Sequence, residues 1–452
     1  MKTLNHAILI GLSLGFFNIA LAEAATLQTL YAFSGYGGTG LTAGISPIGT
    51  LLRGAGGVLY GANLAGGAYF YGTLFRLSPP PPDSTQWTFS LLHTFTGGVD
   101  GGTPNARLVS GGGALYGTAQ RGGPNWNQCG VVYKLTPPAS ETGEWTQTVL
   151  HAFRYEYSGL GDGCNPGAGV IRDASGALYG TTIRGGKTYP SPCCGYGSVF
   201  KLSPPPPGSS TWKETVLYRF AGGADGQVPV SELTRDGAGA LYGTTLFGGK
   251  GTCTDDYFNV VGCGTVFKLT PPAAGDTRWA KATLYRFAGG TNGAKPEGKL
   301  LLDTAGAIYG TSYQGGRGKC TDLLSGAIIG CGTVYKLTPP APGKTGWKKT
   351  ILHSFAGADG AFPGGGLITD AAGNLYGTAS GGGEAGYGVV FKLIRPAPGQ
   401  TEWREAVLHH FNISTTGGLP IGELVASPDG HFFGVTYSGG PGLGGTVFEL
   451  IP

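Results

Sequence analysis

Eight cysteines are the residues whose type and spacing promise the most definite chemistry. Cys253 and Cys263 bracket one glycine-rich loop, and Cys320 and Cys331 bracket its counterpart in the next unit. Cysteines at matching positions of neighbouring units predict two local disulfides, Cys253–Cys263 and Cys320–Cys331, each stapling its own loop. Cys129, Cys164, Cys193 and Cys194 allow two further bonds, whose connectivity the sequence leaves open. Their spacing fits no zinc-ligand pattern, so thiol pairing in an oxidising compartment is the chemistry they point to.

The acidic residues fall into repeated sets. Asp100, Asp162, Asp225 and Asp359 each precede a glycine, with Asn292 in the same place of another unit. Their carboxylates could circle the mouth of a channel and hold Ca²⁺, which takes several oxygen ligands. The other reading is Asp-Gly turn chemistry, repeated because the fold repeats. Asp173, Asp236, Asp303, Asp370 and Asp429 read as turn residues for the same reason. His93, His151, His353 and His409 share a position with Tyr31, Tyr218 and Tyr285, which describes a strand face being filled and not a metal site.

Catalytic material is poor. Outside Gly11-Leu12-Ser13-Leu14-Gly15 of the apolar N-terminal run, the chain has no Gly-x-Ser-x-Gly elbow, and it has no His-Glu-x-x-His pair or phosphate loop; no catalytic residue is assigned. A carboxylate pair for polysaccharide cleavage would have to come from Glu156, Asp255, Asp256, Asp322 or Glu384 in variable loops. Candidate ligand-binding residues are the aromatics Trp126, Tyr189, Tyr257 and Phe258, with Tyr69 and Tyr71 from the shorter run Tyr69-Phe70-Tyr71. Sugars stack on such rings, and loops on a rigid scaffold are where function concentrates.

What must position these residues is a repeat. Leu241-Tyr242-Gly243-Thr244-Thr245 recurs around Tyr60, Tyr116, Tyr179, Tyr309 and Tyr376, and more weakly at Phe433. Each copy is followed by Gly-Gly and then by a segment like Thr265-Val266-Phe267-Lys268-Leu269. In the unit after Pro229, four short strands are predicted: 230–235, 240–245, 265–270 and 279–287. Pro271-Pro272 ends the third cleanly, because proline cannot donate to a ladder. The chain's 88 glycines and 30 prolines therefore mark turns, not disorder. Trp87, Trp145, Trp212, Trp279, Trp347 and Trp403 hold one repeat position and read as packing.

Seven four-stranded units describe an all-β, seven-bladed β-propeller. The segment Leu27–Phe33 matches the fourth-strand pattern, and the chain stops after a third strand. The N-terminal strand is thus expected to complete the last blade and close the ring. Starting each blade at the tryptophan strand gives the same count without that clasp.

The composite pattern of Leu-Tyr-Gly-Thr-Thr, Gly-Gly, Gly-Thr-Val-Phe-Lys-Leu, Pro-Pro, Trp, Leu-x-x-Phe and Asp-Gly resembles the GloVer tandem-repeat family of exported bacterial proteins. The resemblance runs from about Leu27 to Pro452 and implies an exported, propeller-like body, often with a C-terminal anchor. No such anchor is visible here, and the family supplies no catalytic residue to carry over. The order of Leu-Tyr-Gly, Gly-Gly and Trp is also similar to kelch repeats, which implies the same fold.

Lys2, the apolar run from Ala7 to Leu21 and Ala20-Leu21-Ala22 read as a signal peptide over residues 1–22, cut after Ala22 or, second, after Ala24. The alternative is an uncleaved anchor, for which the run is short. Residues 23–452 are then one domain, secreted or periplasmic, soluble and expected to be monomeric. With 12% charged residues, a net charge of +4 and no basic stripe, nucleic acid is excluded as a partner. No cofactor beyond Ca²⁺ and no membrane span in the mature chain are expected. The function expected is binding of a carbohydrate or cell-envelope polymer on the loop-rich face. The alternatives are a polysaccharide hydrolase or lyase and a scaffold for an extracellular protein partner.

Overall fold

The structure, a computed structural model, describes residues 25–35, 41–105, 107–124, 128–140, 143–154, 161–186, 195–255, 259–322 and 326–452. Seven antiparallel sheets form a ring of blades. Blades 1 to 6 lie within residues 45–94, 102–152, 164–219, 234–286, 301–354 and 368–410, and blade 7 within 418–451. The N-terminal strand Thr26–Ser34 pairs with Leu443–Ile451 and is the outer strand of blade 7. The expected clasp is therefore present, one residue longer at each end than Leu27–Phe33. Among the described residues no helix is long and apolar enough to cross a membrane.

The repeat motif has a specific packing cause. In every blade the glycine of the second strand stands directly across from an aromatic residue of the third, as in Gly243 with Phe267 and Gly117 with Tyr133. A methyl group on any of the seven glycines would lie 2.3–2.7 Å from that aromatic side chain. Glycine is needed here for space, because its backbone is ordinary strand. The ring that lies over it then meets the outer strand of the preceding blade. Phe33, Phe95, Phe153, Phe220, Phe287, Phe355 and Phe411 each make an edge-to-face contact with the next blade's third-strand ring, at centroid distances of 5.1–5.4 Å. All fourteen rings are at most 1% exposed. Because Phe33 supplies the contact to Phe75 of blade 1, the belt has no break where the chain begins and ends.

A second layer supports this belt. The His or Tyr two residues before each phenylalanine packs edge-on against it, at 4.7–5.2 Å. The outer-strand tryptophans reach back to the preceding blade, Trp145 to Tyr60 and Trp212 to Tyr116. One expectation is corrected. The first strand of blade 4 pairs only over Thr234–Arg235, not from 230. Val228 is left-handed at φ 59°, Pro229 offers no N–H, and the amide of Thr244 bonds the Ser231 hydroxyl instead of a ladder carbonyl.

Gly243→Ala should therefore force the Phe267 ring out of place and destabilise the protein by about 1–3 kcal/mol. Gly237→Ala, where nothing lies within 4 Å and φ is unexceptional, should be nearly neutral. Thermal unfolding of the two variants checks this, and equal midpoints would contradict it.

Candidate functional site

Each inner strand enters the channel through the same device. The residue before its proline is left-handed in all seven blades: Ser46, Thr103, Asn165, Val228, Lys295, Phe362 and Leu419 have φ of 53–60°. A non-glycine residue in that region carries strain, and the surroundings must hold it there. The amide of Thr103 donates to the Tyr71 carbonyl at 2.7 Å, and that of Lys295 to the Cys263 carbonyl at 2.9 Å, both on the preceding blade. The following proline packs on the glycine before that blade's third strand, where a methyl group would lie 2.4–2.7 Å from the ring. Four residues after the proline the chain turns a Leu or Val into the core.

The first and third residues between proline and that core residue line a central cavity of about 580 Å³. The cavity reaches the loop-rich face at Leu246, Tyr313, Ser380, Leu419 and Tyr437. Its size falls within the ordinary range of ligand pockets. Here the repeat breaks. The third-residue ring reads Thr50, Arg107, Gly169, Glu232, Lys299, Gly366 and Glu423 in blade order. Lys299 Nζ lies 2.8 Å from Glu232 Oε1 and 3.7 Å from Glu423 Oε2, and Arg107 stands 3.9 Å from Glu232. The glycines make these pairs possible. Gly169 leaves blade 3 empty between Arg107 and Glu232, and Gly366 leaves blade 6 empty between Lys299 and Glu423.

Burial pulls the Lys299 ammonium down, but Glu232 and Glu423 outweigh it and hold it above the usual lysine value. Burial raises the Glu423 carboxyl, only partly offset by Lys299. Glu423 Oε2 is enclosed and receives no hydrogen bond. In the first-residue ring, Asn105 donates to the Gly167 carbonyl at 3.4 Å, while its own oxygen is buried without a partner. Glu297, also in that ring, is pushed up to about 7 by burial, with Lys295 opposing. Sequence reasoning missed all of these. The available signal was the fixed proline and core residue four apart, framing positions that vary from glycine to arginine.

The predicted residues fall as follows. Cys253–Cys263 and Cys320–Cys331 are bonded, and Cys129 bonds Cys164, joining the third strand of blade 2 to blade 3. Cys193 and Cys194 lie outside the described residues, as do Trp126, Tyr189, Tyr257, Phe258, Glu156 and Asp256. Tyr69 and Tyr71 are 57% and 43% exposed. The two stapled loops border a second cavity of about 740 Å³, lined by Asp255, Lys295, Arg317, Lys319 and Asp322 among others.

Asp100, Asp162, Asp225 and Asp359 each cap the turn between blades and bind the His or Tyr of the outer strand. His93 lies 3.2 Å from Asp100, His151 2.9 Å from Asp162 and His353 2.9 Å from Asp359, while the Tyr218 hydroxyl donates to Asp225 at 2.8 Å. His and Tyr interchange there because either can donate to the carboxylate and pack on phenylalanine. Blade 6 lacks the aspartate, and His409 Nε2 is buried without a partner; desolvation, with His410 adding, lowers it to about 4. Among the described residues no group of three or more His, Cys, Asp or Glu could hold a metal ion.

The Gloeobacter/Verrucomicrobia repeat matches residues 15–255 and 323–452. No curated protein matches the chain. Among solved structures it is similar to a Thermus thermophilus protein named as an oxidoreductase (glucose dehydrogenase), at 14% identity over 94% of this chain and 100% of that one, with a TM-score of 0.41. It is also similar to a luciferin-regenerating enzyme, at 11% identity over 95% of each chain, TM-score 0.42. Neither name is carried over to this chain.

Two of the capping aspartates face a glutamate from the next blade, which gives the site's surroundings a pH dependence. Glu214 is pushed up to about 8 by desolvation and then by Asp162, against Arg219. Glu405 is pushed up to about 7 by desolvation, with His353 opposing and Asp359 adding. The unfolded chain releases these protons near 4.5, before the folded protein does, so stability falls as pH rises from there to about 8 and about 7 respectively. Glu214→Gln with Glu405→Gln should flatten that fall and raise stability at pH 8 by on the order of 1 kcal/mol, since both side chains retain some solvent. Denaturant unfolding at pH 5 and pH 8 checks it; an unchanged slope would contradict it.

Proposed function

The chain belongs to the Gloeobacter/Verrucomicrobia repeat family, and from that premise we propose that it is an exported propeller that binds carbohydrate on its loop-rich face. One observation carries the reading. Of the eleven large apolar side chains exposed among the described residues, all but Leu91 and Ile451 lie on the face where the second-to-third loops and blade linkers emerge. That is also the face the central cavity reaches. Exposed apolar groups gathered on one side of a molecule mark an interaction surface.

Tyr69, Phe70 and Tyr71 form the aromatic part of that surface, at 57%, 56% and 43% exposure. Phe70 is left-handed at φ 63°, and its amide bonds the Gly67 carbonyl at 3.3 Å, so the loop presents its rings from a fixed turn. Tyr71 lies against the linker at Gly97 and Gly102, the segment that carries exposed Val99. Flat rings beside polar glycine-rich backbone suit the apolar faces and hydroxyl edges of sugars. Three disulfides agree with folding in an oxidising compartment.

Screening against a panel of neutral and charged polysaccharides tests the proposal. At least one should bind, and Tyr69→Ala with Phe70→Ala should weaken it about tenfold, as expected for lost ring stacking of about 1.4 kcal/mol. Release of shortened products would move the reading to a hydrolase or lyase. Absence of any glycan binding would overturn it.

A further inference from the structure

Of the carboxylates lining the central cavity, one stands outside the ion-pair network. Glu297 makes no hydrogen bond or ion pair among the described residues, although it lines the cavity beside a vacant position on blade 6. That vacancy is Gly364, whose backbone is not left-handed, so its lack of a side chain serves space. A methyl-sized group standing on its Cα would lie 3.5 Å from Glu297 Oε2 and 3.8 Å from Cδ2 of the Tyr313 ring. Tyr313 is held in place by stacking on Phe362, with ring centres 5.2 Å apart and planes at 28°. Glu423 Oε2 and Asn105 Oδ1 are enclosed by protein and out of a ligand's reach. The Asn105 orientation follows from its partner, since the Gly167 carbonyl can only accept.

A carboxylate with no hydrogen bond or ion pair at the wall of a cavity selects a cation. An anion is disfavoured, because Lys299 is already engaged by Glu232 and Glu423. We propose that the central channel binds a small organic cation, a primary ammonium on a polyhydroxylated body of the amino-sugar class, with the ammonium seated over Gly364 between Glu297 and Tyr313. The amino-sugar body rests on the glycan reading given above; the ammonium seat stands without it.

Calorimetric titration of the full chain with glucosamine and with N-acetylglucosamine tests the seat. Glucosamine should bind at least tenfold tighter, since acetylation removes the charge. Glu297→Gln should lower glucosamine affinity at least tenfold, and Gly364→Leu, which fills the seat and leaves the carboxylate in place, should do the same. Leu91→Ala, off the loop-rich face, should leave glucosamine binding unchanged. Equal binding of the two sugars, or full affinity in both channel variants, would overturn the proposal. Loss of glucosamine binding with polysaccharide binding intact would overturn the seat and spare the glycan reading. Glucosamine binding without any polysaccharide binding would do the reverse.

Discussion

A phenyl ring lying in the space left by a glycine is the contact on which this molecule depends. It lets the ring lie over the second strand, in space that a side chain on the glycine would occupy. It also leaves one edge of the ring free to meet the preceding blade. One residue type therefore builds the sheet and the interface between sheets together. Seven such rings, each met by a phenylalanine from the neighbouring outer strand, convert local pairing into a closed belt. Closure matters because an open ring would expose two blade edges, and the N-terminal strand removes both the edge and the gap in the belt.

With the belt set outside, the inner strands are free to vary. Proline on glycine and one amide from a strained residue hold each of them against the preceding blade. Packing therefore constrains the two residues that face the axis less than the proline and the core residue that frame them. That freedom is used unevenly. Blades 3 and 6 carry glycine where blades 2, 4, 5 and 7 carry charge, so long side chains pair across the empty positions. The result is a cavity in which Lys299 is engaged and Glu297 stands outside the ion-pair network.

The fold was legible because Leu-Tyr-Gly and Pro-Pro recur at fixed spacing and each has a local cause. The stapled loops were legible for the same reason: Cys253 and Cys320 occupy one repeat position. The histidines were read rightly as filling a strand face, but their bond to the linker aspartates was invisible, since residues 93 and 100 are brought together by a turn that pattern alone does not specify. The channel was missed for a physical reason. Arg107, Glu232, Lys299 and Glu423 share a position and not a chemistry, so they look like variation within a strand. Singular aromatics in long loops stand out instead, and most of those residues lie outside the described parts of the chain.

The proposed ammonium seat lies among the variable positions that face the axis. A crystal structure of the protein grown with a glucosamine oligosaccharide tests this most directly. A sugar ring is expected in the axial cavity, its nitrogen within hydrogen-bond distance of Glu297 and against Tyr313. Ordered sugar on the outer strands or the opposite face, with the axial cavity unoccupied by ligand, would contradict it.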